Sequence, residues 1–388
     1  RLMSEIKVNS VKGVGASTAA ITINNSDGTC TANLLNNEGH KNFVINGAMQ
    51  IAQRGRSGGT VDGSAGYRST DRFKTDIDGS NGRFTHSTVS DVPADLGFRD
   101  SAKLTVTTTE AQPTSTSAAL QFYYMSEIQD VTQLRWGSSN AKTCTLSFYV
   151  KGSVTGDYPV WFQWYGASGT NYFYYTSYTI NTANTWERKT ITLTGPTSGG
   201  QLDGFNTTGF RIEWGLGYGS DTETGTLNEW TTSGTRRTPA GHVWLVENAS
   251  ATWFITGVQF EISPVATDFE HIPVSKQYQY CERYYERIDG QQSAMNGGIT
   301  GCYNTTTECM FFYNFRTRKR TTPSLEYSAL SDLDLEPFDD EPSEAELFIA
   351  DEKHMVIRSR NNPATTRGFA SFLCVDQSDG HIAFDAEL

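Results

Sequence analysis

Two neighbouring stretches carry the side chains best suited to gripping a ligand. In VWFQWYG, Trp161, Gln163 and Tyr165 alternate with Phe162 and Trp164; in NYFYYTSYTI, Tyr172, Tyr174, Thr176 and Tyr178 alternate with Phe173 and Tyr175. A period of two puts each set on one face of a strand. A pyranose offers a flat C–H face and a rim of hydroxyls, so aromatic faces flanked by amide or carboxylate groups suit it. One face of each strand must be core. The remaining set, Trp161, Gln163, Tyr165, Tyr172, Tyr174 and Tyr178, is a candidate ligand-binding group. Three readings of these Tyr-rich faces stay open: sugar platform, subunit interface and plain surface.

Other chemistry is thinly represented. DIDGSNG places Asp76, Asp78 and Ser80 at alternate positions, as a hard cation requires, but it lacks the glycine at the sixth position and the glutamate at the twelfth; a turn is the better reading. The six histidines, His40, His86, His242, His271, His354 and His381, stand apart and read as structural. No G-x-S-x-G, H-E-x-x-H or P-loop occurs, and no carboxylate pair is marked as acid and base. The six cysteines show no C-x-x-C and no zinc spacing, so they read as buried free thiols, with one bridge open among the four after residue 280. The expectation is a protein with no catalytic residues, no cofactor and no metal.

The totals narrow the class. With 388 residues the chain suits two domains and a small extra element. Hydrophobic residues make up 37% and mean hydropathy is −0.46, yet 18 Tyr and 8 Trp are present, which favours thin aromatic β layers over a large aliphatic core. The net charge of −12 repels phosphate backbones and argues against nucleic acid as a partner. No apolar run approaches the roughly 20 residues that span a bilayer, and the N-terminus lacks the layout of a secretory signal, so no membrane insertion is expected.

Elements must position the candidate set, and the pattern is all-β. Residues 1–41 hold two short alternating segments, a hairpin at best, which cannot stand alone in water. NFVINGAMQIAQRG then brings an apolar run with a turn at Asn46-Gly47. KLTVTTT, ALQFYYMSEI, CTLSFYVKGS, VWFQWYG, NYFYYTSYTI, WERKTITLTG, GFRIEWGLGYG and HVWLVE read as short strands, and Trp253–Ile262 as the last. About eight to ten strands across 42–272 suit a jelly-roll β-sandwich. In that last strand Phe254, Val258, Phe260 and Ile262 are assigned to one face. SKQYQYCERYYERI changes to helical spacing, with Tyr278, Cys281, Tyr284, Tyr285 and Ile288 on one stripe, and makes 273–290 a short helical connector. Six further strands fill a small C-terminal β domain, 291–388. Between them lie DLDLEPFDDEPSEAELFIADEK, with ten acidic residues from Asp332 to Glu352, read as a solvated loop, and RTRKR at 316–320, read as a charged edge strand. A sharper expectation pairs Arg316, Arg318 or Arg320 with the acidic segment.

Three phrases together, NFVINGAMQIAQRG, GVQFEISPVATDFEHIPVSKQYQYCERYYERI and the closing GHIAFDAEL, resemble tailed-bacteriophage tail-fibre and receptor-binding proteins. LSFYVKGS and NTWERKTITLTG are similar to the carbohydrate-binding-module type of jelly roll found in such fibres. The resemblance covers roughly 42–388, and SEIKVNSVKG looks like a fibre's virion-joining end. It implies a homotrimer located in the virion, its N-terminal arm bound to other virion proteins of the tail or neck, and a distal part that attaches to host-surface glycan. The competing expectations are a purely structural head or neck fibre or tail adaptor, and a glycan-cleaving fibre.

Overall fold

The computed structural model describes residues 10–11, 21–23, 30–32, 41–223, 225–290, 298–338, 341–360, 362–375, 377 and 380–388. Strands hold 43% of the chain and helices 8%. Two compact units form, Arg1–Asn42 and Phe43–Leu388. In the first, β1 (Ser10–Val11), β2 (Ile21–Ile23) and β3 (Cys30–Ala32) pair antiparallel, one strand more than the expected hairpin.

In the second unit, the jelly-roll sandwich has two antiparallel sheets. The strands are β4 (Gly59–Val61), β5 (Gly66–Tyr67), β6 (Phe73–Asp78), β7 (Arg83–Val89), β8 (Ser101–Thr108), β9 (Ala119–Glu127), β10 (Thr143–Gly152), β11 (Gly156–Tyr165), β12 (Asn171–Ile180), β13 (Glu187–Thr194), β14 (Thr208–Tyr218), β15 (Trp230–Thr231) and β16 (Thr252–Glu261). A six-stranded sheet runs β13-β10-β16-β8-β7-β4 and a seven-stranded one β15-β12-β11-β14-β9-β6-β5. HVWLVE is no strand: Leu245–Glu247 is a 3-10 turn whose Leu245 and Val246 are buried. NFVINGAMQIAQRG is likewise irregular. Asn46 holds it as a knot, donating from Nδ2 to the Ile51 and Asp71 carbonyls and accepting from Ile51 N.

Aromatic rings fill the space between the sheets. Trp136 packs edge-on against Trp164, Phe210, Trp230 and Phe260 at 5.3–5.8 Å, and Trp214 and Trp253 are fully buried beside them. The β16 register corrects the expected face. β16 pairs with β10 as Leu146↔Phe260 but Lys151↔Phe254, with a bulge between. Gly257 sits there at φ +62°, a conformation that favours glycine. The extra residue inverts the parity, so Trp253, Ile255, Val258 and Phe260 join the core. Phe254 lies on the opposite face of the sheet, covered by Trp186 and by the Lys151 ammonium at 4.4 Å, and Ile262 is exposed.

The predicted helix over 276–288 is shorter and is followed by a strand. The helix spans Val274–Glu282, and β17 (Tyr285–Asp289) pairs with β25 (His381–Asp385). Helical and strand spacing both fit YERID, and the partner strand HIAFD decides. The helix buries Gln277, Cys281 and Glu282, whereas Tyr278 is exposed.

Beyond it, β20 (Ser324–Tyr327) completes a three-stranded sheet with β17 and β25. A six-stranded sheet runs β21 (Leu333–Glu336), β24 (Ala370–Val375), β18 (Ile299–Tyr303), β19 (Cys309–Asn314), β23 (His354–Ser359), β22 (Glu346–Ala350). The acidic segment is therefore not a loop. It supplies both edge strands of this sheet, with Leu333 and Leu335 buried and Glu346 paired to Arg358 and Arg360. Nor is RTRKR a strand. Among the described residues, Arg318 alone of its arginines pairs with the acidic segment, through Glu352 at 2.8 Å; Arg316 meets Glu282, and Arg320 donates to the carbonyls of Asn206, Ala386 and Glu387. Lys319 is fully buried on Glu286 at 2.6 Å. Cys144, Cys281, Cys302 and Cys309 are free thiols.

Candidate functional site

Strands β11 and β12 pair over their whole length: Tyr158↔Tyr178, Phe162↔Tyr174, Trp164↔Tyr172, and on the alternate positions Trp161↔Tyr175, Gln163↔Phe173 and Tyr165↔Asn171. Residues directly opposite in an antiparallel ladder share a face. The connecting loop 166–170 has an odd number of residues, so odd positions meet odd ones. The six predicted residues are thereby split. Trp161, Gln163 and Tyr165 point outward, whereas Tyr172, Tyr174 and Tyr178 side with the core. Tyr178 stacks on Tyr158 at 5.5 Å and accepts a hydrogen bond from Trp253 Nε1 at 2.9 Å, which makes it a packing residue. Tyr174 packs against Trp230. Their places on the outer face of β12 belong to Phe173 and Tyr175.

The same outer face continues across the sheet by register. Trp161 and Gln163 stand opposite Glu213 and Arg211 of β14; Glu213 stands opposite Tyr123 and Gly215 opposite Gln121 of β9; Tyr123 and Gln121 stand opposite Lys74 and Asp76 of β6. Tyr67 of β5 lies opposite Lys74. Sequence reasoning missed Gln121, Tyr123 and Arg211. The available signal was a polar side chain inside a central strand, as in LQFYY and FRIEW, where burial demands a partner.

That partner network fixes the middle of the face. Arg211 lies 3.7 Å from the Tyr123 ring centroid and 5.0 Å from that of Trp161, donates to Gln121 Oε1 at 2.9 Å, and is ion-paired with the fully buried Glu213. Glu213 also accepts from the Tyr218 hydroxyl at 2.5 Å, and that oxygen accepts from Trp161 Nε1 at 3.0 Å. Burial alone would lower the Arg211 pKa, but the adjacent Glu213 carboxylate outweighs it and the pKa is raised. Burial also pushes the Tyr123 and Tyr165 phenols up, so both stay neutral donors. Asp76 is raised by burial and then by its neighbour Asp78.

The far end of the face is roofed. The connection from β14 to β15 lays Leu227 against Trp161 and Tyr175, while Asn228 N donates to the Tyr175 carbonyl at 2.8 Å. Trp161 is consequently only 6% exposed and is not an open platform. Half-buried Tyr165 and Phe173 rim the uncovered part, with the half-buried Arg211 and Asp76 on the same face and Gln163, Gln121 and Tyr123 buried beneath them. Rings for C–H faces and fixed polar groups for hydroxyls thus lie on one surface.

DIDGSNG forms the end of a strand and a turn. Asp76 and Asp78 lie on β6, and the following turn is closed by Glu110, which accepts from Asn81 N at 2.9 Å, Asn81 Nδ2 at 3.0 Å and Ser80 Oγ. Among the described residues no group of three or more His, Cys, Asp or Glu side chains gathers to hold a metal.

No protein-family model matches this chain, and no curated protein does. Among solved structures it is similar to a CBM4 domain, at 17% identity and TM-score 0.29 over 57% of this chain and 100% of that one. The CBM22-2 xylan-binding domain from Paenibacillus barcinonensis matches at 13% identity and TM-score 0.29, over 50% of this chain and 92% of its own. The enzymatically active domain of tailspike protein 4 from bacteriophage CBA120 matches at 15% identity and TM-score 0.31, over 57% of this chain and 21% of that one. Such values are too low to carry function across; what this chain binds must be argued from its own side chains.

Proposed function

We propose that this chain is a non-catalytic glycan-binding protein, and that it serves as a bacteriophage virion fibre that attaches to host-surface polysaccharide. The observation that carries the reading is the outer face of the seven-stranded sheet. There Arg211, immobilised by Glu213 and Gln121, stands among Tyr123, Gln163 and the half-buried Tyr165 and Phe173. Sugar C–H faces stack on the Tyr165 and Phe173 rings, and hydroxyls exchange their water for the Arg211 guanidinium and the Asp76 carboxylate. Because these groups are already held by one another, little ordering entropy is lost on binding.

A single shallow site of this kind binds weakly, and a homotrimer would sum three of them into useful avidity. In this reading residues 1–41 join the chain to other virion proteins of the tail or neck. The test is a glycan array and whole-cell binding assay with the full chain, alongside Tyr165→Ala and Arg211→Met. Binding to host polysaccharide that both variants lose supports the reading. A folded protein that binds no glycan and no host cell refutes it and favours a structural head or neck fibre; release of reducing ends would instead make it a glycan-cleaving fibre.

A further inference from the structure

We propose, resting on that glycan-binding reading, that the preferred glycan is anionic, and that Lys74 receives a sugar carboxylate where the outer face opens into the groove beside β25, which Arg68 also lines. Three observations converge on this spot.

Lys74 is a half-buried cation without a counter-ion. Its Nζ stands 5.4 Å from the Tyr67 ring centroid and 6.0 Å from that of Tyr123, and among the described residues it makes no ion pair and no hydrogen bond. Desolvating an ammonium without a partner is costly, and two ring faces repay only part of it. Burial, and then the nearby Arg211, lower its pKa, which is the signature of a cation short of negative charge.

Arg68 lines the same groove. It meets the exposed Asp62 at 3.4 Å and Ser64, while its Nε is buried with no hydrogen-bond partner. An unsatisfied buried guanidinium donor is rare in a finished core and calls for an acceptor from outside.

There is room for one. A groove of about 740 Å³ begins at Tyr67, Arg68 and Lys74 and runs along β25 past Tyr285 and His381. Its own carboxylates are engaged: Asp385 is paired with Arg54 at 2.8 Å, and Glu387 with Arg54 and Arg72. Glu326 is pushed up by burial and by Asp385, which weakens its claim on either cation. Asp76 shares the face of Lys74 and offsets part of its charge without touching it. A chain of sugars lying over Tyr165 and Arg211 is thus led to Lys74 and into the groove, where a carboxylate supplies the counter-ion that Lys74 lacks.

The experiment is an array of carboxylate-bearing polysaccharides, each beside its carboxyl-reduced neutral form, probed with the full chain and with Lys74→Met and Lys74→Arg. Circular dichroism confirms that both variants fold. We expect the wild-type protein to bind the acidic form at least about tenfold more tightly, with the gap shrinking as salt is raised. Lys74→Met should equalise the two forms, and Lys74→Arg should restore the gap. Equal binding of the two forms by wild type, or a gap that survives Lys74→Met, overturns this inference and leaves the glycan-binding reading intact. Absence of any glycan binding overturns both.

Discussion

Replacing Phe260 by alanine tests the bulge at Gly257 and with it the whole assignment of faces. Phe260 is fully buried and its ring is hemmed in by rings from both layers: Phe210 at 4.9 Å, Trp136 at 5.8 Å, Phe162 at 6.0 Å and Phe43 at 6.2 Å. Stacked rings collapse poorly into a void, so the loss belongs at the upper end of the Phe→Ala range, about 4–5 kcal/mol. Phe254 has the same side chain six residues earlier in the same strand, but its cover is the Lys151 and Lys103 ammonium groups and Trp186, which can follow a smaller residue. Phe254→Ala should therefore cost only about 1–2 kcal/mol. Gly257→Ala combines a left-handed backbone with a Cβ placed 2.6 Å from Phe98 Cζ and 2.9 Å from Tyr149 Cδ2, so about 2–4 kcal/mol is expected. Urea unfolding followed by tryptophan fluorescence, with m-values compared, measures all three. If Phe254→Ala proved as damaging as Phe260→Ala and Gly257→Ala were silent, the strand would alternate without a bulge and the face assignment would fall.

Other expectations are read by separate assays. His86 is buried with Nδ1 unpartnered, and burial lowers its pKa to about 3 against an ordinary value of 6.5. The unfolded chain then binds a proton between pH 6.5 and 3 that the folded chain refuses, so this group costs stability as pH falls. Relative to His86→Gln, the wild type should lose about 2–3 kcal/mol between pH 6 and 4, and parallel curves would refute it. Asp71, pushed up to about 6 chiefly by burial, works in the opposite sense and cancels in the comparison. Lys319→Met leaves Glu286 buried without its ammonium and should cost about 3–5 kcal/mol, while adding Glu286→Gln should recover much of it; a neutral single change in thermal unfolding would contradict a dry pair. Glu213→Gln, which frees Arg211, should weaken glycan binding several-fold in calorimetry with little change in fold, whereas Tyr178→Phe should leave affinity unchanged.

Strand alternation was legible wherever one side of a strand was plainly apolar, as in KLTVTTT and HMVIRSR, because a two-residue period needs no knowledge of the partner. VWFQWY and NYFYYTSY show both parities aromatic, so their sequence marks a strand without marking its inside. Only the pairing Phe162↔Tyr174, fixed by a five-residue loop, sends Tyr172, Tyr174 and Tyr178 inward and leaves Trp161, Gln163 and Tyr165 outside. YERID and the acidic segment were misread for a related reason: a strand at a sheet edge takes its identity from the strand it pairs with.

The sequence by itself determined an all-β chain with an aromatic sandwich, since β-branched and ring side chains at period two pack well only on pleated, half-buried surfaces. It could not join Tyr67, Lys74, Tyr123, Arg211 and Trp161 into one face. Those residues come from five strands, joined across the sheet by the β6-β9, β9-β14 and β14-β11 pairings of strands remote in the chain, and cross-strand register, together with one bulge glycine in β16, is set by tertiary packing.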